Sequence, residues 1–140
     1  MNILLVCTGN TCRSAMAEGI LKSLAEGQDD IYISSAGIST MDGLRPSANA
    51  IHAADELESD ISMHQSRQLN AAMVESADVV LCMTTLHKDT LDKIYPQQKE
   101  KIRMLGEEDI EDPFGEDIEV YRKCASDLMY LLENYLEEIE

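Results

Sequence analysis

Tryptophan is absent from the 140-residue sequence, phenylalanine occurs once and proline three times. A core must therefore be built from the other apolar residues, which at 44% are numerous enough to fill one. Basic residues are scarce: 11 Lys and Arg stand against 27 Asp and Glu, a net charge of −16. A field of that sign repels nucleic-acid backbones and anionic membrane surfaces, so neither is an expected partner. No apolar run approaches the length of a membrane span; the longest are stretches such as Ile3–Val6 and Asp78–Met83. No segment resembling a cleavable targeting peptide precedes the first strand-like stretch, which makes the cytoplasm the expected location. Repeats, linkers and low-complexity segments are also missing, and the length fits one domain over residues 1–140.

The four cysteines, Cys7, Cys12, Cys82 and Cys124, are too scattered for a secreted disulfide framework and suit a reducing compartment. Cys7 and Cys12 would make half of a zinc site, but His52, His64 and His87 are each solitary and no second pair completes it. Neither a metal nor another cofactor is expected.

What is present is an alternation of strand and helix signals. Asn2–Cys7 is continuously apolar at Ile3-Leu4-Leu5-Val6, as in a strand covered on both faces. A helix is predicted over Ser14–Glu26, ending at Gly27, and a second strand over Ile31–Ser35, closed by Gly37. Pro46 suits the first turn of a helix that continues to Glu56. A short helix near Asn70–Ser76, a strand at Asp78–Met83, a helix Thr85–Ile94 stopped by Pro96, and a short strand at Lys101–Leu105 follow. Beyond an acidic loop at Glu107–Gly115, a last helix runs from Asp117 to Leu136 or further. Tyr121, Cys124, Leu128, Leu132, Tyr135 and Ile139 form its core-facing stripe. This order predicts a three-layer α/β/α fold around a central four-stranded parallel sheet. Sites in such sheets lie beyond the carboxyl ends of the strands, where Cys7 sits.

The segment Cys7-Thr8-Gly9-Asn10-Thr11-Cys12-Arg13-Ser14 bridges the first strand to the first helix. Gly9 permits a left-handed or otherwise tight backbone, so that successive N–H groups can face inward as an anion nest. The helix that follows adds unpaired N–H groups and the positive end of its dipole, which favours the thiolate of Cys7 over the thiol. Ser14 is placed to donate to that sulfur. Arg13, six residues after Cys7, can return across the loop and grip two phosphate oxygens with its planar fork. The constellation suits attack of sulfur on phosphorus and a phosphocysteine intermediate. It lacks the Gly-x4-Gly-Lys-Ser/Thr pattern of a nucleotide-binding loop.

Cys7–Ser14, with Met16-Ala17-Glu18 after it, resembles the signature of the low-molecular-weight protein tyrosine phosphatases. Asp112-Pro113 resembles that family's second motif. Ser35-Ala36-Gly37, His64-x-Ser66-Arg67-Gln68 and Ala77-Asp78 are similar in the same order along the chain. The resemblance implies a hydrolase acting as a monomer on phosphorylated proteins. In it Cys7 is the nucleophile, Arg13 the transition-state clamp, and Asp112 the acid that protonates the leaving group and then the base towards water. Thr8, Gly9, Asn10, Thr11, Cys12 and Ser14 are implied to form the phosphate-binding loop, with Ser35 and His64 supporting it. Without the resemblance Asp112 is ambiguous, because a loop Asp before Pro is also a turn former. Cys12 could form a reversible disulfide with Cys7 under oxidant, or be simply a small buried side chain.

Substrate class turns on three positions. Relatives acting on phosphotyrosine carry an aliphatic residue where this chain has Thr11, and Trp or Tyr where it has Met41. They also have a second aromatic where it has Gly115; Phe114 remains. Thr11 and Asp-Pro-Phe-Gly resemble the bacterial protein-arginine phosphatase subgroup, which makes phosphoarginine the preferred substrate and phosphotyrosine the alternative. Some thiol-dependent arsenate reductases share the Cys-Thr-Gly-Asn loop, but they relay oxidation to a Cys pair, and no Cys follows Cys82 before Leu91. A non-enzymatic phosphate-binding module would have little reason to keep both a nucleophile and an acid.

Overall fold

The computed structural model describes residues 1–140. Four parallel strands, β1 (Asn2–Cys7), β2 (Tyr32–Gly37), β3 (Val79–Cys82) and β4 (Ile102–Met104), form one sheet in the order β2-β1-β3-β4. The helices are α1 (Arg13–Leu24), α2 (Ala48–Glu56), α3 (Ala71–Ser76), α4 (Thr85–Ile94) and α5 (Ile118–Ile139).

The apolar run of β1 has its physical reason in the layers. Ile3, Leu5 and Cys7 join a core with side chains of α1, α2 and α5. Leu4 and Val6 point the other way, into a second core with Val74 of α3 and Leu91 of α4. Fully burying a Leu or Ile contributes about 1.5–3 kcal/mol, so the strand that carries Cys7 is held from both faces. The expected three-layer α/β/α architecture is what the chain adopts.

Several boundaries differ from the sequence expectation. Pro46 lies outside α2: Ser47 is the N-cap, its hydroxyl accepting the Ala50 N–H at 3.3 Å, so the helix starts at Ala48. Asn70 and Asp117 cap α3 and α5 in the same way, one residue later than full helical conformation was expected. α1 begins at Arg13 and stops at Leu24, before Gly27. β2 runs on through Gly37, because register with β1 pairs Cys7 with Gly37. Pro96 ends α4 but also opens a 3-10 turn, Pro96–Lys101, that sequence reasoning missed. On α5, Tyr121, Cys124, Leu128 and Leu132 are buried as expected. Ala125 and Leu136 join them, while Tyr135 and Ile139 are only partly covered.

Candidate active site

β1 delivers Cys7 to the carboxyl edge of the sheet, buried at its Sγ by three donors. The Ser14 hydroxyl lies 2.9 Å away, and the backbone N–H groups of Asn10 and Ser14 donate at 3.3 and 3.4 Å. These groups stabilise negative charge on sulfur. They exist because the chain turns sharply between β1 and α1. The left-handed residue in that turn is Asn10, at φ 58°, and not Gly9 as the sequence suggested. An Asn tolerates this conformation when its short amide is held, and here every polar atom is. Its Nδ2 donates to Ser14 Oγ (2.7 Å) and Ser35 Oγ (2.9 Å), and its Oδ1 accepts the Arg67 N–H at 3.0 Å. Its carbonyl accepts from His64 Nε2 at 3.0 Å. Ser35 in turn donates to Glu18 Oε1 at 2.5 Å. The chain Asn10 to Ser14 to Cys7 polarises the serine hydroxyl towards the sulfur.

The glycine on which the loop depends is Gly37. A Cβ there would lie 2.8 Å from the Thr8 carbonyl oxygen and 3.0 Å from Gly9 carbon. Its absence lets the loop cross the end of β2, where Ile38 and Ser39 donate to the carbonyls of Cys7 and Thr8 at 2.9 and 3.0 Å.

Arg13 is 4% exposed. Its Nη1 donates to the Ile110 carbonyl at 3.0 Å, and its Nη2 lies 3.6 Å from Asp112 Oδ2. Its Nε is buried without a hydrogen-bond partner, a donor suited to an oxyanion held in the loop. Asp112 is half exposed, and its Oδ1 also accepts the Phe114 N–H at 3.1 Å. It therefore forms the turn that sequence reasoning allowed and faces Arg13 as well.

Cys12, the N-cap of α1, is buried with Sγ 3.4 Å from both Ser47 Oγ and Tyr121 Oη. Thr11 is partly exposed; its carbonyl accepts from Ser47 N–H, and its hydroxyl lies no closer than 4.0 Å to Cys12 sulfur. Met41 and Phe114 are exposed on separate loops. Burial pushes the thiols of Cys82 and Cys124 up to about 12, which keeps both protonated and unfit for a redox relay. No three His, Cys, Asp or Glu side chains converge as metal ligands, and no helix is long and apolar enough to cross a membrane.

Sequence reasoning did not assign Glu18, Arg67 or His87 to the site. Glu18 stands one helical turn after Ser14, a spacing that could have flagged it. His87 lies in the first turn of α4, beyond the carboxyl end of β3, and its Nε2 is 2.9 Å from Thr8 Oγ1. Arg67 comes from a loop remote in sequence and carried no local signal beyond its place in the His64–Gln68 stretch.

The family model for low molecular weight phosphotyrosine protein phosphatases matches residues 2–140. A protein-arginine-phosphatase of Bacillus subtilis is 34% identical, with 100% of this chain and 97% of that protein covered. Among solved structures, a low molecular weight protein tyrosine phosphatase from T. tengcongensis superposes with a TM-score of 0.94 at 38% identity, covering 99% of both chains. A mutant of the YwlE arginine phosphatase with a phosphorylated active-site serine does so at 0.94 and 33%, covering 99% of this chain and 95% of that one. The chain belongs to the low molecular weight phosphotyrosine protein phosphatase family.

Proposed function

We propose that this chain is a cysteine-dependent protein phosphatase whose preferred substrate is phosphoarginine, working as a single domain and a monomer on phosphorylated cytoplasmic proteins. One observation carries the chemistry: three donors converge on Cys7 Sγ within 3.4 Å, beside a buried guanidinium whose Nη2 is 3.6 Å from Asp112. The Cys7 thiolate attacks phosphorus in line with the leaving group. As the S–P bond forms, the P–N or P–O bond breaks and the Asp112 carboxyl gives its proton to the departing atom. Water then attacks the phosphocysteine, Asp112 takes a proton from it, and the S–P bond breaks to release phosphate and restore the thiolate. Arg13 and the loop N–H groups hold the equatorial oxygens throughout, where charge is greatest. The cost of binding a dianion to a protein of charge −16 is met locally by these donors.

Asp112→Asn tests the acid. Turnover of substrates with poor leaving groups, a phenyl phosphate or phosphoarginine, should fall about 100- to 10,000-fold. Turnover of a nitrophenyl ester should fall far less in its first step, since nitrophenolate departs unprotonated. Equal losses on both would reduce Asp112 to its turn with Phe114.

Phosphoarginine is favoured by Thr11, whose hydroxyl has no close protein partner, and by likeness to an arginine phosphatase over the whole chain. Phosphotyrosine is the second reading, favoured by the exposed Phe114, the one aromatic wall left for a phenyl ring. Thr11→Ile separates them. If the hydroxyl faces the guanidinium, its loss leaves a polar group unpaired, costing about 1–3 kcal/mol with phosphoarginine. The same change is neutral or helpful for phosphotyrosine. The ratio of kcat/KM values on paired peptides should move about 10- to 100-fold towards phosphotyrosine. An unchanged ratio would make phosphotyrosine the better assignment.

A further inference from the structure

His87 has no part in the chemistry above, yet it reaches the phosphate loop at Thr8, as His64 does at Asn10. Its backbone N–H is capped by Thr84 Oγ1 at 3.1 Å, which fixes the first turn of α4. Asp109 binds the same turn, accepting from the Thr85 N–H and hydroxyl at 2.8 and 3.0 Å. From this anchored turn the imidazole Nε2 stands 2.9 Å from Thr8 Oγ1, beside the nucleophile in sequence, while the rest of the ring is buried, 5% exposed. Its Nδ1 is buried with no partner at all. A buried pyridine-type nitrogen is tolerated more easily than a buried N–H without an acceptor. The network therefore places the ring proton on Nε2, from which it can be donated to the Thr8 oxygen.

The charged groups facing the ring are Arg13 from α1 and Asp109 and Asp112 from the loop before α5. Burial, with Arg13 adding to it, pushes the imidazole down to about 4, against the opposing pull of the two carboxylates. The ring is thus uncharged at neutral pH, and the Nε2–H tautomer persists through the range in which a thiolate enzyme works.

We propose that His87 is a positioning residue for the phosphate loop: its Nε2–H donates to the Thr8 hydroxyl oxygen and leaves the Thr8 O–H as an oriented donor beside Cys7. This rests on the reading of Cys7–Ser14 as the phosphate site. An oriented hydroxyl donor adds to the nest of N–H groups and costs no reorganisation when the anion arrives. His87 touches neither sulfur nor phosphorus and acts only through Thr8.

The test is a double-mutant cycle on His87→Ala and Thr8→Val, read by the inhibition constant of inorganic phosphate and by kcat and KM on a chromogenic aryl phosphate. Each single change should weaken phosphate about 10- to 100-fold, the scale of one hydrogen bond to a charged group, and the double variant should be no weaker than either. His87→Gln, whose amide N–H can reach the Nε2 position, should restore most of the loss. Nitrogen NMR of the native His87 ring should show the Nε2-protonated tautomer at neutral pH. Thr8 is exposed, so Thr8→Val and the NMR spectrum still decide the matter if His87→Ala does not fold. Losses that multiply in the double variant, an Nδ1-protonated ring, or an unchanged phosphate constant in Thr8→Val would overturn the proposal. Native turnover, lost in Cys7→Ser, is measured in the same assay; its absence would contradict the phosphatase reading itself, a distinct outcome.

Discussion

Cys7→Ser is expected to stop turnover while leaving phosphate bound. The sulfur is surrounded by the Ser14 hydroxyl at 2.9 Å and two backbone N–H groups at 3.3 and 3.4 Å. Those donors favour negative charge on the attacking atom, but a serine hydroxyl is intrinsically a far weaker acid than a thiol and a far poorer nucleophile. A serine that did accept the phosphoryl group would form a stable oxygen ester instead of a labile S–P bond. One slow transfer could occur, and nothing would follow it. The mutant relative with a phosphorylated active-site serine has that appearance. Removing a nucleophile from an assembled site costs several powers of ten, so kcat should fall by at least about ten-thousandfold. The loop donors and Arg13 are untouched, and inorganic phosphate or vanadate should bind about as well as before, or better once the thiolate charge is gone. Calorimetric titration checks the second half. Substantial residual turnover would mean that another group attacks phosphorus.

Arg13→Lys should fail nearly as badly, for a geometric reason. Arg13 is 4% exposed, its Nη1 is fixed by the Ile110 carbonyl at 3.0 Å, and its Nε is unpartnered. The guanidinium is thereby oriented before any ligand arrives, with donors left for two oxygens in one plane. A lysine ammonium keeps the charge but presents a single point, and cannot hold Ile110 and both oxygens together. Losing an oriented donor to transition-state charge costs about 100- to 1,000-fold in kcat, and the Ile110 tether to the Asp112 loop would be lost as well. The decrease should appear mainly in kcat, with a smaller rise in KM, because the charge on the equatorial oxygens is best matched in the transition state. A near-native kcat in Arg13→Lys would make charge alone sufficient and remove the planar grip from the mechanism.

The parts of this site that were legible in the sequence are those written in consecutive residues. Cys7 to Ser14 carries the proposed nucleophile, the proposed clamp and the loop between them in one stretch, and the apolar run of β1 announced a strand buried on both faces. The stripe on α5 was legible for the same reason, since Tyr121, Cys124, Leu128 and Leu132 recur at helical spacing. Asp112 was not separable from 26 other acidic residues by any local rule; the resemblance of Asp112-Pro113 to the family's second motif singled it out, and the structure sets its Oδ2 3.6 Å from Arg13 Nη2. Asn10 defeated a rule outright. Propensity assigns left-handed backbone to glycine, but Ser14, Ser35, His64 and Arg67 together hold Asn10 there, and three of those four lie on other elements. His87 was invisible for a similar reason: it stands 79 positions from Thr8, and one histidine on a helix carries no pattern.

The central claim is a covalent phosphoryl group on Cys7, and it can be observed directly. Enzyme mixed with a radiolabelled phosphopeptide should be quenched within the first turnovers and digested under conditions that preserve S–P bonds. The account predicts label on the peptide containing Cys7, appearing before free phosphate and chased into it. The label should be absent when Cys7 has been alkylated beforehand. Steady release of labelled phosphate with no label passing through Cys7 at any time would contradict it.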